Sequence, residues 1–196
     1  MLGLVAFTVE RIADSGSKAP YSAAAVDAHV QVQIVAPAQA QAAADRLAGP
    51  GRLTAPVGIP GVREEVVGQL TFRTPDNAPH DGQYALFVID NDDHRPVRDI
   101  WGAGPRGTDV GQGWDGRFDQ LADKYHWLAP LADMDNGDGD PGSAVMFRPD
   151  TASPVTFVAP LRAGALPVAD PSRQLTIALA FISEGGHVYR ATRLAV

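Results

Sequence analysis

Apolar and polar residues alternate most cleanly over residues 29–35. Val30, Val32 and Ile34 share one face there, and His29, Gln31 and Gln33 share the other. Successive side chains of a strand point to opposite sides, so a period of two predicts a strand with one face buried. Residues 3–10 differ: Val5, Phe7 and Val9 oppose Leu4, Ala6 and Thr8, so both faces are apolar and a central strand is expected. Residues 66–73, 83–90 and 154–159 read as further strands. The last thirty residues read as a hairpin, with arms 175–183 and 187–196 joined by Glu184-Gly185-Gly186.

Helical spacing occurs in two places. Residues 37–48 are rich in Ala and Gln, carry Pro37 in the first turn and stop at Gly49-Pro50. Residues 115–128 offer Asp115 as an N-cap, set Phe118, Leu121, Ala122, Tyr125 and Leu128 on one stripe, and meet Pro130. Loops are marked by the prolines and the Asp-Gly of residues 74–82, and by four Gly and three Pro within residues 49–62. Val32-Gln33-Ile34-Val35-Ala36-Pro37 echoes Val155-Thr156-Phe157-Val158-Ala159-Pro160, a pattern that two strands ending at a sheet edge would share. Together these signals predict a mainly β chain. The expected fold is one domain over residues 1–196, an antiparallel β-sandwich, jelly-roll or Ig-like, with one or two short helices.

Composition sharpens this picture. With 19 Asp against 4 Glu, and with 20 Gly and 16 Pro, the chain favours strands and structured loops over helices. The absence of cysteine excludes a disulfide scaffold and Cys-ligated zinc. No apolar run is long enough for a membrane helix, and the N-terminus has no basic segment ahead of a cleavage site. The expected location is therefore the cytoplasm, or a particle assembled there. The net charge of −7 argues against a nucleic-acid partner. That charge is also localised. Residues 90–150 hold 13 Asp, no Glu and 6 basic residues, whereas the remainder is neutral. This stretch holds all three Trp and reads as a long, mostly loop-like acidic excursion from the sheet, leaving at Asp90 and rejoining near Val145.

Candidate chemistry concentrates in the excursion. Asp90-Asn91-Asp92-Asp93-His94 follows a strand directly. Its oxygens suit a hard cation such as Ca²⁺, and equally a turn in which Asp and Asn bond their own backbone. A second acidic run, Asp133-Met134-Asp135-Asn136-Gly137-Asp138-Gly139-Asp140, fails the EF-hand template in both registers. Mutual repulsion among its carboxylates would still be relieved by a divalent ion. The expected Ca²⁺ ligands are Asp133, Asp135, Asn136, Asp138 and Asp140, with Asp90 and Asp92 as a second group. Trp101, Trp114 and Trp127, with His126, Asp93 and His94, form the expected ligand-contact set, because flat rings beside carboxylates suit sugars. The same aromatics would also serve as a satellite core; Tyr125 lies on the helical stripe, and Trp127 lies off it, where an exposed contact is expected.

Gly102-Ala103-Gly104-Pro105-Arg106-Gly107 matches the dinucleotide fingerprint only as a string. No strand closely precedes it, and Thr108–Gly113 does not open a helix. The five histidines form no metal-binding pair, and neither H-E-x-x-H nor G-x-S-x-G occurs. These features point to a non-catalytic sandwich whose acidic, aromatic excursion contacts a partner. That partner is a subunit of an assembly, such as a homo-oligomer or a virion component, or a glycan. The competing readings are a Ca²⁺-dependent carbohydrate-binding module and a hydrolase built on Asp pairs.

Overall fold

The run Tyr84-Ala85-Leu86-Phe87-Val88-Ile89 has no polar face, so it is stable as a strand only if its sheet is covered on both sides. All six side chains are buried. A computed structural model describes residues 27–56, 58–74, 82–92, 94–113, 118–135, 144–162, 175–183 and 189–196. The elements are β1 (Asp27–Val35), α1 (Pro37–Ala48), β2 (Val62–Arg73), β3 (Gly82–Asp90), β4 (Arg95–Pro96), β5 (Trp101–Ala103) and β6 (Val110–Gly113). They continue with α2 (Phe118–Lys124), a 3-10 helix (His126–Asp135), β7 (Ala144–Phe147), β8 (Val155–Arg162), β9 (Leu175–Ser183) and β10 (Tyr189–Leu194).

The strands form two antiparallel sheets. One has the order β1-β2-β8-β5; the other runs β10-β9-β3-β7-β6, with β4 paired to the end of β3. One hydrophobic core is shared between them. Leu70, Phe72 and Phe157 from the first sheet meet Tyr84, Phe147 and Phe181 from the second. The Phe72 and Phe147 rings lie 5.1 Å apart, and Tyr84 meets Phe181 edge-on at 5.2 Å, separations at which aromatic rings attract.

Helices cover both outer faces. Along β2, Val66, Leu70 and Phe72 point to the shared core, while Val67 points outward. Above it, α1 buries Ala40, Ala43 and Ala44, spaced three and four apart, against Val67 and Val158. On the other side, Phe118, Leu121 and Ala122 of α2 and Leu128 and Leu131 of the 3-10 helix cover Phe87, Ile89, Ala178 and Ala180. The order of layers is helix, sheet, sheet, helices. Among the described residues no helix is long and apolar enough to cross a membrane.

The helix read at 37–48, the alternation in β1 and the pairing of β9 with β10 all stand in the structure. The strand read at 3–10 and the turn at Glu184-Gly185-Gly186 lie outside the described residues. Three readings need correction. In place of the single helix read at 115–128, α2 is followed by a 3-10 helix, so the described residues hold three helices and Pro130 lies inside the last one, while Asp115 lies outside them. The switch occurs at Tyr125, whose N–H closes α2 onto the Leu121 carbonyl and whose own carbonyl accepts from Leu128 N–H. Three residues per turn then set Leu128 and Leu131 on one face, and both are fully buried.

Second, the described part of residues 90–150 is not mostly loop. They contribute β4, β5, β6 and β7 as well as the helices. These strands are two to four residues long, and β5 and β6 are rich in Gly, so their conformation comes from pairing with β8 and β7 rather than from local preference. Gly102 shows the constraint: a Cβ there would lie 2.2 Å from Cγ1 of Val145 on the opposite sheet. Third, Pro160 does not end a strand at an edge. It lies within β8, opposite Glu65 of β2, beyond the stretch that β5 pairs.

Gly68 of β2 lies opposite Phe157 of β8, and the ring fills the space a side chain would take; a Cβ would meet Phe157 Cζ at 2.3 Å. Gly68→Ala is expected to lower unfolding free energy by roughly 1–3 kcal/mol through overpacking. Gly111→Ala, where a Cβ has nothing within 4 Å, should stay within about 0.5 kcal/mol of the parent. Urea unfolding of both variants checks this, and equal midpoints would show that the ring yields freely.

Candidate functional site

Strand β5 places Trp101 and Ala103 on one side of the first sheet and Gly102 on the other. Trp101 pairs with Val158 and Ala103 with Thr156, so both tryptophan and alanine share the face covered by α1. Ala103 packs against that helical layer. Trp101 stands beyond it and is 41% exposed, the large hydrophobic side chain left in solvent among the described residues.

Next to Ala103 is an open cleft of about 480 Å³ between the C-terminal end of α1 and the turn that follows β5. Its walls include Leu47, Pro50, Arg52, Arg106 and Pro154, with the buried Thr156 beneath. Both walls are fixed by polar contacts. The Gln41 amide donates to the Asp45 carboxylate and to the Leu53 carbonyl, each at 3.0 Å, and its oxygen accepts from Ala55 N–H at 3.0 Å. Asp45 also accepts from Gly51 N–H at 3.0 Å. The segment after α1 is therefore held to the helix at several points. Opposite, the Thr108 hydroxyl donates to the Pro105 carbonyl at 2.6 Å and sets the turn. Arg52 joins the two walls, donating from Nη2 to the Gly104 carbonyl at 2.7 Å. Gln69, on the neighbouring strand, donates to the Leu47 carbonyl at 3.0 Å and secures the helix end from below.

Those acidic residues singled out in the sequence that are described lie elsewhere. Asp90 ends β3, and the Asp92 N–H donates to its carboxylate at 3.0 Å, which makes Asp90–Asp92 part of the turn between β3 and β4. Asn91 accepts from the Thr176 hydroxyl at 2.9 Å. His94 is exposed and has a positive φ of 49°. Asp133 and Asp135 belong to the last turn of the 3-10 helix, which runs beside β4. Asp93, Trp114, Asn136, Asp138 and Asp140 lie outside the described residues. Among the described residues no three metal-binding side chains come together.

His126 is exposed at the start of the 3-10 helix. Trp127 is half-buried; its ring lies 6.0 Å from Tyr125, with the Arg193 guanidinium 5.1 Å above it. The change of helical period at Tyr125 turns Trp127 toward β10, away from the position that a continuous α-helix would give it. The two structurally described tryptophans thus differ: Trp127 anchors a helix and Trp101 faces solvent.

Arg52, Arg106 and Thr156 carried no signal in the sequence. The one pointer was the glycine string at residues 102–107, whose glycines let β5 approach the opposite sheet and turn the chain along the cleft wall. A strand does underlie the string, since β5 covers residues 101–103, but no helix follows it directly. Compared with known proteins, the chain matches no protein-family model and no curated protein.

Glu65 is a second feature that the sequence hid. It lies on the outward face of β2, between Val35 and Pro160 of the adjacent strands, is 1% exposed, and has a carboxylate oxygen without a hydrogen-bond partner. Burial in this setting raises its pKa from 4.5 to about 7, since an isolated charge is poorly solvated there. In the unfolded chain the proton leaves near 4.5. The folded state therefore holds more protons between that value and about 7, and stability falls as pH rises through this window. The loss attributable to Glu65 should be roughly 1–3 kcal/mol. Glu65→Gln is expected to flatten the stability profile across the window, measured by denaturant unfolding at several pH values. Parallel profiles for parent and variant would show that Glu65 is already ionised in the folded protein.

Proposed function

We propose that the protein is a non-catalytic β-sandwich binding protein, of jelly-roll or Ig-like kind with a helical layer on each side, that joins an assembly through the face carrying Trp101. The observation that carries this reading is the exposed tryptophan on an edge strand of the first sheet. Burying a Trp ring removes a large apolar area from water, and such residues supply much of the energy of protein interfaces. Strand β5 holds the ring on rigid backbone, which limits the entropy lost on docking. The stretch 90–150, to which Trp101 belongs, supplies the whole net charge of the chain. A partner of net positive charge that offers an apolar pocket fits that combination, and its association should slow as salt is added.

Trp101→Ala is expected to weaken partner binding by about 30-fold, equivalent to about 2 kcal/mol, with little change in melting temperature. Trp127→Ala should keep the binding and lose stability, because its ring packs under Arg193. Sedimentation of the parent protein tests self-association first, and affinity capture from the native source then compares the two variants. Equal capture by Trp101→Ala and the parent, together with no self-association that Trp101 controls, would sink the reading.

A further inference from the structure

We propose that the cleft between the end of α1 and the turn after β5 is a small-molecule site for an organic anion, an oxyanion head on a compact apolar body. It is separate from the partner contact proposed at Trp101. The charge of the cleft favours an anion. In a chain of net charge −7, the described residues lining this cleft include Arg52 and Arg106 and no carboxylate. Its donor capacity is also largely unused. A guanidinium has five N–H donors. Among the described residues the guanidinium of the half-buried Arg52 gives only one hydrogen bond, to Gly104, and that of Arg106 gives none. The Gly104 contact holds Arg52 across the cleft, so its planar fork is oriented before a ligand arrives, which favours paired bonds to a carboxylate or phosphate.

Part of the nearby negative charge is already engaged: the Asp45 carboxylate accepts from Gly51 N–H and from Gln41. The last turn of a helix presents partial negative charge through its free carbonyls. Here the Asp45 carbonyl accepts from Gly49 N–H, the Leu47 carbonyl from Gln69, and the Gly49 carbonyl from Arg52 N–H. Apolar walls come from Leu47, Ala48, Pro50, Ala103 and Pro154. The volume of about 480 Å³ falls within the range of small-ligand sites and suits a molecule of one or two rings. The floor offers the Thr156 hydroxyl, 3.4 Å from Gln69 Nε2, as one further polar contact.

The test is titration of the isotope-labelled protein with phenyl phosphate, benzoate, inorganic phosphate and benzamide, followed by amide NMR. Phenyl phosphate or benzoate should shift the amides of Gly49, Arg52, Gly104, Arg106 and Gly107 with a Kd on the order of 1 mM or tighter. Whichever binds more tightly identifies the head group as phosphate or carboxylate. Arg106→Gln should weaken binding about tenfold, the loss of one charge-assisted contact. That variant removes an exposed side chain and leaves the Arg52–Gly104 bond intact. Trp101→Ala should bind the anion as the parent does, which separates failure of this site from failure of the partner surface. The proposal is overturned if neither aryl anion shifts these amides at about 10 mM, if Arg106→Gln binds as tightly as the parent, or if benzamide binds as well as benzoate. Equal binding of inorganic phosphate and phenyl phosphate would likewise overturn the role given to the apolar walls.

Discussion

Burial of the central strands on both faces is the constraint on which the remainder of this protein depends. Strands β2, β8, β3 and β9 carry apolar residues at consecutive positions, so neither sheet can leave an outer face to water. One pair of faces closes when the sheets meet over the Phe72, Tyr84, Phe147 and Phe181 rings. The other two close only because helices lie across them. The contacts there are small: Ala40, Ala43 and Ala44 above the first sheet, and Ala85, Ala178 and Ala180 beneath the helices on the second. Small side chains bring backbones close, and many weak dispersion contacts add up over such a surface.

Placement of α1 has consequences beyond covering a sheet. Its last turn becomes one wall of the cleft, and the residues that follow are bound back to it through Gln41 and Asp45. The opposite wall exists because the chain crosses from one sheet to the other between β5 and β6. Arg52 then spans the gap, and Trp101 is left at the outer margin. Glu65 belongs to the same layer and shows its cost: a carboxyl group enclosed there has one oxygen without a partner.

Much of the scaffold was legible in the sequence, and the reasons are local. Helix 37–48 has a proline at its start, glycine at its end and good helix formers between. Strand β1 alternates, because only one of its faces meets the core. Strand β9 is an almost unbroken apolar run, and the glycine pair in the sequence after it marks a return of the chain to pair with β10. By contrast, β5 and β6 consist of Trp-Gly-Ala and Val-Gly-Gln-Gly, with no strand preference to detect. They are strands because β8 and β7 supply the hydrogen bonds. The change from α to 3-10 geometry at Tyr125 was hidden for a related reason: it is chosen by where Leu128 and Leu131 find a buried surface.

The sequence by itself determined that this would be a strand-rich chain with an acidic, tryptophan-containing stretch, since periodicity, composition and charge are properties of residues in order. Only the tertiary structure decided which residues of that stretch matter together. It made Asp90–Asp92 a hairpin turn, turned Trp127 under Arg193 and left Trp101 in solvent. It also brought Arg52 to Arg106 across one cleft, though they lie far apart in the chain. The physical reason is that sheet pairing and helix packing act between distant segments, so side-chain exposure and neighbours depend on contacts that no local pattern encodes.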